Sequence, residues 1–140
     1  MLFRSNGQPP IIFEDGRQSR DFIHVSDVVA ANLLALATDR ADYQALNVGT
    51  GRPTSVREVA DLIIATLGKP ELEPQVLCTF REGDIRHCYA DIALARRLLG
   101  FEPKVAFAQG IHQLVAWVRS QQAEDHFEQA HRQLVERGLA

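Results

Sequence analysis

Residues 10–36 read PIIFEDGRQSRDFIHVSDVVAANLLAL and decide the fold of the chain. Two short apolar runs, at residues 11–13 and 22–25, predict a pair of strands, and the Asp-Gly pair between them predicts a turn. A Ser-Asp pair at residues 26–27 is a typical helix N-cap, and the residues after it favour a helix. Because this helix is apolar on nearly every side, we expect it to be buried on more than one face.

Helices and strands alternate through the rest of the chain. Ser55 and Glu58 have the S-x-x-E spacing of a capping box, which predicts the start of a helix, and Gly68 predicts its end. The other expected elements are strands or extended segments at 45–48, 75–80 and 87–90, helices at 92–99 (capped by Asp91, closed by Gly100) and 110–119, and a charged helical tail from 121.

This order predicts an α/β fold with few short strands and four to five helices. The strands are too few for a complete doubly wound sheet, so we expect an incomplete fold with an exposed apolar face that a partner would cover. We place a domain boundary near Ser120, between a domain at residues 1–120 and a helical tail at 121–140.

Composition excludes several classes of protein. Hydrophobic residues make up 46% of the 140 residues and charged residues 24%, as in ordinary globular domains. Fifteen Lys and Arg against eighteen Asp and Glu give a net charge of −3, which is no basic footprint for nucleic acid. No apolar run approaches the roughly 20 residues of a membrane span, and the N-terminus carries no secretory signal. Cys78 and Cys88 have no metal-ligand spacing, so we expect reduced thiols in a cytoplasmic protein.

Two polar segments have the residue types that bind phosphate and sugar. Arg20 follows a Gly-Arg-Gln-Ser loop, and Arg81 and Asp84 lie three residues apart around Gly83. An arginine fork matches the charge and geometry of a phosphate, and one carboxylate can accept both hydroxyls of a ribose. From the spacing alone, arginines in such loops are more typical of a solvated surface than of a phosphate site.

Three motifs together resemble one known family. They are FEDGRQSRDFIHVSDVVAANLLAL at 13–36, ALNVGTGRPTSVREVADLI at 45–63 and REGDIRHCYADIALARRLLGFEPKVAFAQGI at 81–111. In this order they are similar to the DG-x-Q-x-RDF, NVG-x-G and R-x-GD-x-R segments of extended short-chain dehydrogenase/reductases. Within that family the chain most resembles NAD-dependent nucleotide-sugar 4-epimerases and 4,6-dehydratases, which act on UDP- or dTDP-sugars.

The resemblance implies a fold, a reaction and a set of site residues. It implies the C-terminal, substrate-binding part of a Rossmann-type enzyme in which NAD oxidises the sugar at C4 and hydride later returns. The implied roles are the diphosphate for Arg20 and Arg81, the ribose for Asp84, the base pocket for Ile12 and Phe13, and proximity to the nucleotide for Gln18. Phe13 is also suited to a core position. Asp21 and Asp27 are expected in turns and caps, whereas Arg86 and His87 either face the sugar or form an ordinary surface pair.

The chain lacks the segments that would bind NAD and carry out catalysis. The glycines at 49 and 51 do not complete G-x-G-x-x-G, since position 54 is Thr54. The family's Tyr-x-x-x-Lys is absent, because Tyr43 is followed by Asn47 and Tyr89 by Ala93. We therefore assign no catalytic residue and expect NAD to bind the full-length enzyme, not this chain alone. The expected partners are a nucleotide-sugar and a missing N-terminal Rossmann domain, with a homodimer as a further option.

Two other functions remain open from the sequence. One is a stand-alone nucleotide-sugar-binding module without catalysis. The other is an interaction protein whose pocket is idle and whose polar tail helix, at 124–137, contacts the partner. Neither the base, the sugar, nor the choice between epimerisation and dehydration follows from these residues.

Overall fold

The computed structural model describes residues 9–80, 82–121 and 127–138. The elements run in the order β1 (Ile11–Ile12), β2 (Ser19–Arg20), α1 (Val25–Leu36), β3 (Thr54–Ser55), α2 (Val56–Leu67), β4 (Gln75–Val76), β5 (His87–Cys88), α3 (Ala93–Leu99), α4 (Phe107–Arg119) and α5 (Phe127–Glu136). They confirm the predicted α/β class. Among the described residues, no helix has both the length and the apolar character needed to cross a membrane.

The chain divides into two compact units. The first contains the residues up to 18, residues 55–86 and those from 111 onward. The second contains residues 19–54 and 87–110. This division follows contacts and not chain order, and the boundary expected near Ser120 stays a prediction.

The first unit is built on a parallel strand pair. Strands β1 and β4 pair with Ile11 opposite Gln75 and Ile12 opposite Val76. Ile12 is fully buried and packs with Val56 and Ala60 of α2. That helix has the predicted boundaries, because the Ser55–Glu58 capping box forms and its C-cap is left-handed at Gly68.

The second unit contains another parallel pair and a helix pair. Strands β2 and β5 pair with Ser19 opposite His87 and Arg20 opposite Cys88. Helices α1 and α3 pack through Ala31 and Ala95, with Phe101 completing the buried cluster. Ile23, Leu46, Val48 and Leu99 pack against this cluster from its margin.

Helix α1 begins differently from the prediction. The strand expected at 22–25 is wrong: the strand lies at Ser19–Arg20, where β5 provides the pairing partner. The N-cap is His24, whose ring accepts a hydrogen bond from the Ser26 N–H at 3.2 Å. Asp27 instead lies in the first turn, buried, and accepts from the Val105 N–H at 3.0 Å.

Several other predicted boundaries also shift. Residues 45–48 form no strand, and the strand expected at 75–80 is limited to Gln75–Val76. Helix α3 has Ile92 as its N-cap, although Asp91 accepts from the Ala93 N–H at 2.9 Å. Helix α4 starts at Phe107, three residues earlier than expected.

Candidate functional site

The turn after β1 docks on the start of α2. The Val56 N–H donates to the Gln18 carbonyl at 2.9 Å, and the Arg57 N–H donates to the Gly16 carbonyl at 3.0 Å. Gly16 has φ +79°, a conformation that favours glycine. Helix α2 therefore uses its first free N–H groups to hold the turn.

Gln18 follows this turn, and one of its side-chain polar atoms has no hydrogen-bond partner among the described residues. Its side chain is 4% exposed, and its Nε2 donates to the Phe13 carbonyl at 2.8 Å. Its Oε1 is buried and has no hydrogen-bond partner among the described residues. A buried oxygen without a donor costs about 1–3 kcal/mol, so this oxygen is a candidate acceptor for a bound molecule or a water.

The two side chains predicted to line a base pocket are both buried. Ile12 belongs to the core of the first unit. The Phe13 ring is 1% exposed and lies against His131 of α5, with ring centroids 6.4 Å apart. Both side chains thus contribute to packing in this unit, and their contact with a base stays a prediction.

Arg86 forms a clamp between two distant segments. Its guanidinium donates to Asp15 Oδ1 at 2.7 Å, to Asp15 Oδ2 at 2.8 Å and to Glu14 Oε2 at 2.8 Å. The bonds from Arg86 hold the pKa of the Asp15 carboxyl far below its ordinary value, and Asp15 in turn raises the pKa of Arg86. Arg86 thus forms an ion pair with Asp15 and Glu14, and whether Arg86 and His87 face the sugar stays a prediction.

The clamp positions the loop that carries Asp84. This carboxylate is half-buried and lies two residues before Arg86. The clamp thereby holds this loop beside Glu14 and Asp15, the two residues that follow Phe13 in the sequence. Arg81, the other predicted residue of this loop, lies outside the described residues.

Arg20 belongs to the second unit. It is half-buried at the end of β2, and its Nη1 donates to the Ser19 carbonyl at 2.8 Å. The Ser19 hydroxyl makes a 2.9 Å hydrogen bond with His87 Nδ1. The structure thus groups Ile12, Phe13, Gln18 and Asp84 in the first unit and places Arg20 in the second.

Asp21 is the organising carboxylate of the second unit. It accepts from the Thr50 N–H at 2.9 Å, the Thr50 hydroxyl at 2.5 Å, the Gly51 N–H at 2.9 Å and the Ala90 N–H at 3.2 Å. Burial raises the pKa of the Asp21 carboxyl, but these hydrogen bonds outweigh it and the pKa lies below its ordinary value. The expected turn role of Asp21 is confirmed.

The hydrogen bonds to Asp21 also determine whether the glycine-rich turn at residues 49–51 can bind a dinucleotide. A dinucleotide fingerprint offers backbone N–H groups to a pyrophosphate, but here the N–H groups of Thr50 and Gly51 bind Asp21. A Cβ at Gly49 would lie 2.5 Å from Asp21 Oδ2 and 2.6 Å from Ala90 Cβ. Because the Asp21 carboxylate already occupies the backbone donors of this turn, the turn does not fit the pyrophosphate of NAD.

Sequence reasoning missed the Arg86 clamp. Asp15 and Arg86 are 71 residues apart, and no local spacing relates them. The only available signal was that both lie within motifs that the resemblance had already selected.

Comparison with protein families and curated proteins gives consistent matches. The family model of GDP-mannose 4,6 dehydratase matches residues 3–114. The chain is 38% identical over 121 residues to a putative UDP-glucose 4-epimerase of Methanocaldococcus jannaschii, a match covering 81% of this chain and 35% of that protein. It is 36% identical over 107 residues to the dTDP-L-rhamnose 4-epimerase of Burkholderia thailandensis, covering 76% and 29% respectively.

Solved structures with the same fold belong to similar proteins. The UDP-N-acetylglucosamine 4-epimerase of Methanobrevibacter ruminantium, in complex with UDP-N-acetylmuramic acid, matches with a TM-score of 0.74 at 33% identity, over 84% of this chain and 36% of its own. The UDP-glucose 4-epimerase of Thermotoga maritima, with UDP-glucose, matches with a TM-score of 0.72 at 38% identity, over 79% and 35%. MoeE5, in complex with UDP-glucose and NAD, matches with a TM-score of 0.69 at 38% identity, over 82% and 38%. The chain spans about a third of the length of the proteins it matches.

Proposed function

This chain belongs to the GDP-mannose 4,6 dehydratase family, and we propose that it is the part of an NAD-dependent nucleotide-sugar epimerase or dehydratase that holds the nucleotide diphosphate of the substrate. The family membership and the Rossmann-type fold agree with the resemblance that the three motifs indicate. The region that it matches is the C-terminal part of such enzymes.

The shared chemistry of the similar proteins supports this substrate class. Their names specify UDP-glucose, dTDP-L-rhamnose and UDP-N-acetylglucosamine. The sugars differ, whereas a nucleoside diphosphate is common to all three. We therefore propose a nucleotide-sugar as the ligand of this chain, with its diphosphate as the group that is recognised.

The observation that carries the proposal is the Arg86 clamp. It fixes the Asp84 loop beside the turn that carries Phe13 and Gln18, although these segments are far apart in sequence. A preorganised loop loses less freedom when a ligand binds, which increases affinity. An exposed ion pair contributes little to stability, so positioning the loop is the more useful effect of these contacts.

Each predicted residue has a role in this proposal. Arg20 and Arg81 would bind the diphosphate through charge-assisted hydrogen bonds. Asp84 would accept the ribose hydroxyls, and the buried Gln18 Oε1 would accept a hydrogen bond from the nucleotide or from a water that it holds. Ile12 and Phe13 would support the wall on which the base lies.

We propose that the chain contributes to catalysis by positioning alone. Binding energy from the nucleotide would hold the sugar where the rest of the enzyme acts on it. Because the turn at Gly49 does not fit NAD, we propose that NAD binds the full-length enzyme outside this chain. We propose that the partner of this region is an N-terminal Rossmann domain that binds NAD, and a homodimer is compatible with this arrangement.

Calorimetric titration of the purified chain tests this function. We expect UDP or dTDP to bind and NAD not to bind. Replacing Arg20 or Arg81 by Ala should weaken binding by roughly tenfold to 150-fold, the equivalent of one charged hydrogen bond. Asp84→Asn should weaken binding less than either arginine variant, because the amide keeps one acceptor oxygen for the ribose and the diphosphate contacts are unchanged.

Arg97→Ala is the matched control, because Arg97 is an exposed arginine on α3 outside the predicted site. It should bind as the wild type does. Equal affinities for the wild type, Arg20→Ala and Arg81→Ala would refute the assigned diphosphate site.

A further inference from the structure

Helix α5 lies on one face of the β1–β4 strand pair. Successive side chains of a strand point to opposite faces, and Ile12 packs against α2 on one of them. The next residue, Phe13, contacts His131 of α5, with ring centroids 6.4 Å apart. Because Phe13 is one of the residues proposed to support the base, α5 lies on the face where the base is expected.

An open cavity lies between α5 and this strand pair. Its volume is about 370 Å³, within the range of roughly 300–1,000 Å³ that small-molecule sites occupy. Ile11 and Leu77 line it with apolar surface from the strands. Glu128, His131 and Arg132 line it from α5. These three positions are three and one residues apart, which places them on one face of the helix. The cavity thus has an apolar wall and a polar wall.

The two walls match the chemistry of a pyrimidine base. The flat faces of uracil and thymine pack against apolar or aromatic side chains. Their edge presents a carbonyl, an N–H and a second carbonyl. A guanidinium supplies donors for the carbonyls, and a carboxylate accepts from the N–H. Arg132 and Glu128 provide this pair of groups from adjacent turns of α5.

Building on the proposed function, we propose that α5 forms the outer wall of the base site. Arg132 and Glu128 bind the edge of the base, and His131 is a positioning residue that holds the Phe13 ring. Helix α5 lies beyond residues 3–114, the part of the chain that matches the family model. Base recognition by this chain therefore depends on residues outside the matched segment.

A phosphate group fits this cavity less well than a base does. Arg132 would attract it, but the Glu128 carboxylate lines the same cavity and would repel an anion. The apolar side chains on the strand side have no donors for it. The cavity therefore suits the base, and the diphosphate stays with Arg20 and Arg81 as proposed above.

Calorimetric titration of the full chain with UDP and with inorganic pyrophosphate tests the polar wall. Arg132→Ala should weaken UDP binding by roughly twofold to tenfold, the equivalent of one ordinary hydrogen bond, and leave pyrophosphate binding unchanged. Arg137→Ala is the matched control, because Arg137 is an exposed arginine directly after α5 and does not line the cavity. It should bind both ligands as the wild type does.

Two variants of His131 separate positioning from folding. His131→Ala removes the ring beside Phe13 and should weaken UDP binding by roughly twofold to tenfold, the range of an aromatic pair. His131→Phe keeps a ring there and should restore most of that affinity. Both should bind pyrophosphate as the wild type does, since the diphosphate residues are unaltered. An equal loss of affinity for UDP and pyrophosphate in His131→Ala would mean that the change acts through the fold and would overturn the positioning role.

Titration with uridine distinguishes this inference from the proposed function. Uridine has the base and the ribose but no phosphate, and the amide chemical shifts of α5 should change as it binds. If uridine shifts these amides but UDP binds no more tightly than uridine, the base site is supported and the diphosphate site is contradicted. If Arg20→Ala weakens UDP binding but Arg132→Ala and His131→Ala do not, the base site is overturned and the proposed function stands. Absence of binding by both UDP and uridine would overturn both.

Discussion

Asp21 and Asp15 are both carboxylates that accept several hydrogen bonds, but the groups that donate to them are of different kinds. Asp21 is half-buried and accepts hydrogen bonds from three backbone N–H groups and a hydroxyl. Asp15 is exposed and pairs with a single guanidinium, that of Arg86. The pKa of each carboxyl is lowered, so a lowered pKa does not distinguish the two clusters.

The two carboxylates differ in which groups would lose a hydrogen-bond partner without them. Asp21 satisfies backbone donors that would otherwise lose their partners on folding, so it is part of the fold of the second unit. Asp15 and Arg86 can both return to water at little cost, so their pairing mainly selects one position for a loop. We expect substitutions at the first cluster to change stability and substitutions at the second to change ligand affinity.

Gly49→Ala should have the largest effect. The new Cβ would lie 2.5 Å from Asp21 Oδ2 and 2.6 Å from Ala90 Cβ, and the hydrogen bonds of Asp21 prevent it from moving away. We expect the free energy of unfolding to fall by about 3 kcal/mol, at the upper end for overpacking. The midpoint of urea unfolding measures this change.

Gly68→Ala is the control for this steric effect. Gly68 has φ +69° and open space around its Cβ position, so its substitution adds backbone strain of about 1–2 kcal/mol without a clash. A smaller loss for Gly49→Ala than for Gly68→Ala would mean that the turn does not close on Asp21 as the structure has it.

Asp21→Asn should be the next most damaging change. An amide keeps the size of the side chain, but its NH2 group would face backbone N–H donors in place of one oxygen. Because Asp21 is only partly buried, we expect a loss of about 2 kcal/mol. Asp61→Asn, which breaks the exposed pair with Arg57 on α2, should change stability by only about 0.3 kcal/mol. Equal unfolding midpoints for the two variants would contradict this ranking.

The pH dependence of Asp21→Asn tests the same cluster with a smaller effect. The folded-state pKa of Asp21 lies below the unfolded value of about 3.9, so its stabilisation is present above that value and is lost as the pH falls through the folded pKa. The difference in unfolding free energy between wild type and Asp21→Asn should be constant from pH 7 to 5 and shrink below pH 4. Urea titrations at several pH values measure it, and a difference that is unchanged at pH 3 would exclude this contribution of Asp21.

The local features of the fold could be predicted because their determinants are close in sequence. The capping box joins Ser55 to Glu58, and the end of α2 depends on Gly68 itself. The predicted strand at 22–25 failed because apolar residues there have other partners. Phe22 packs against Phe107, with ring centroids 5.3 Å apart, and Ile23 lies at the α1–α3 cluster. An apolar run alone does not specify whether a sheet or a helix layer will cover it.

The candidate site depended more strongly on long-range contacts. Resemblance selected Arg20, Gln18 and Asp84, but the spacing within each motif does not indicate how the motifs meet. The Arg86 clamp and the donors to Asp21 join residues that are 29 to 72 positions apart. Such pairs form only after the surrounding elements have packed, so no local pattern in the sequence reports them.

Arg86→Gln should have the smallest effect on stability. It should also distinguish most clearly between the structural role of the Asp21 cluster and the ligand-binding role of the Asp15 cluster. The pair with Asp15 is exposed, and a glutamine amide can still donate to Glu14, whose side chain is 12% exposed, so we expect the urea midpoint to fall much less than in Asp21→Asn. Affinity for UDP or dTDP should fall by roughly twofold to tenfold, because the Asp84 loop must then be ordered on binding. Arg96→Gln, which breaks an exposed ion pair between α3 and Glu102 in the second unit, is the matched control and should leave affinity unchanged. If Arg86→Gln lowers the unfolding midpoint as much as Asp21→Asn does, and affinity is unaffected, the clamp belongs to the fold and the contrast between the two carboxylates is wrong.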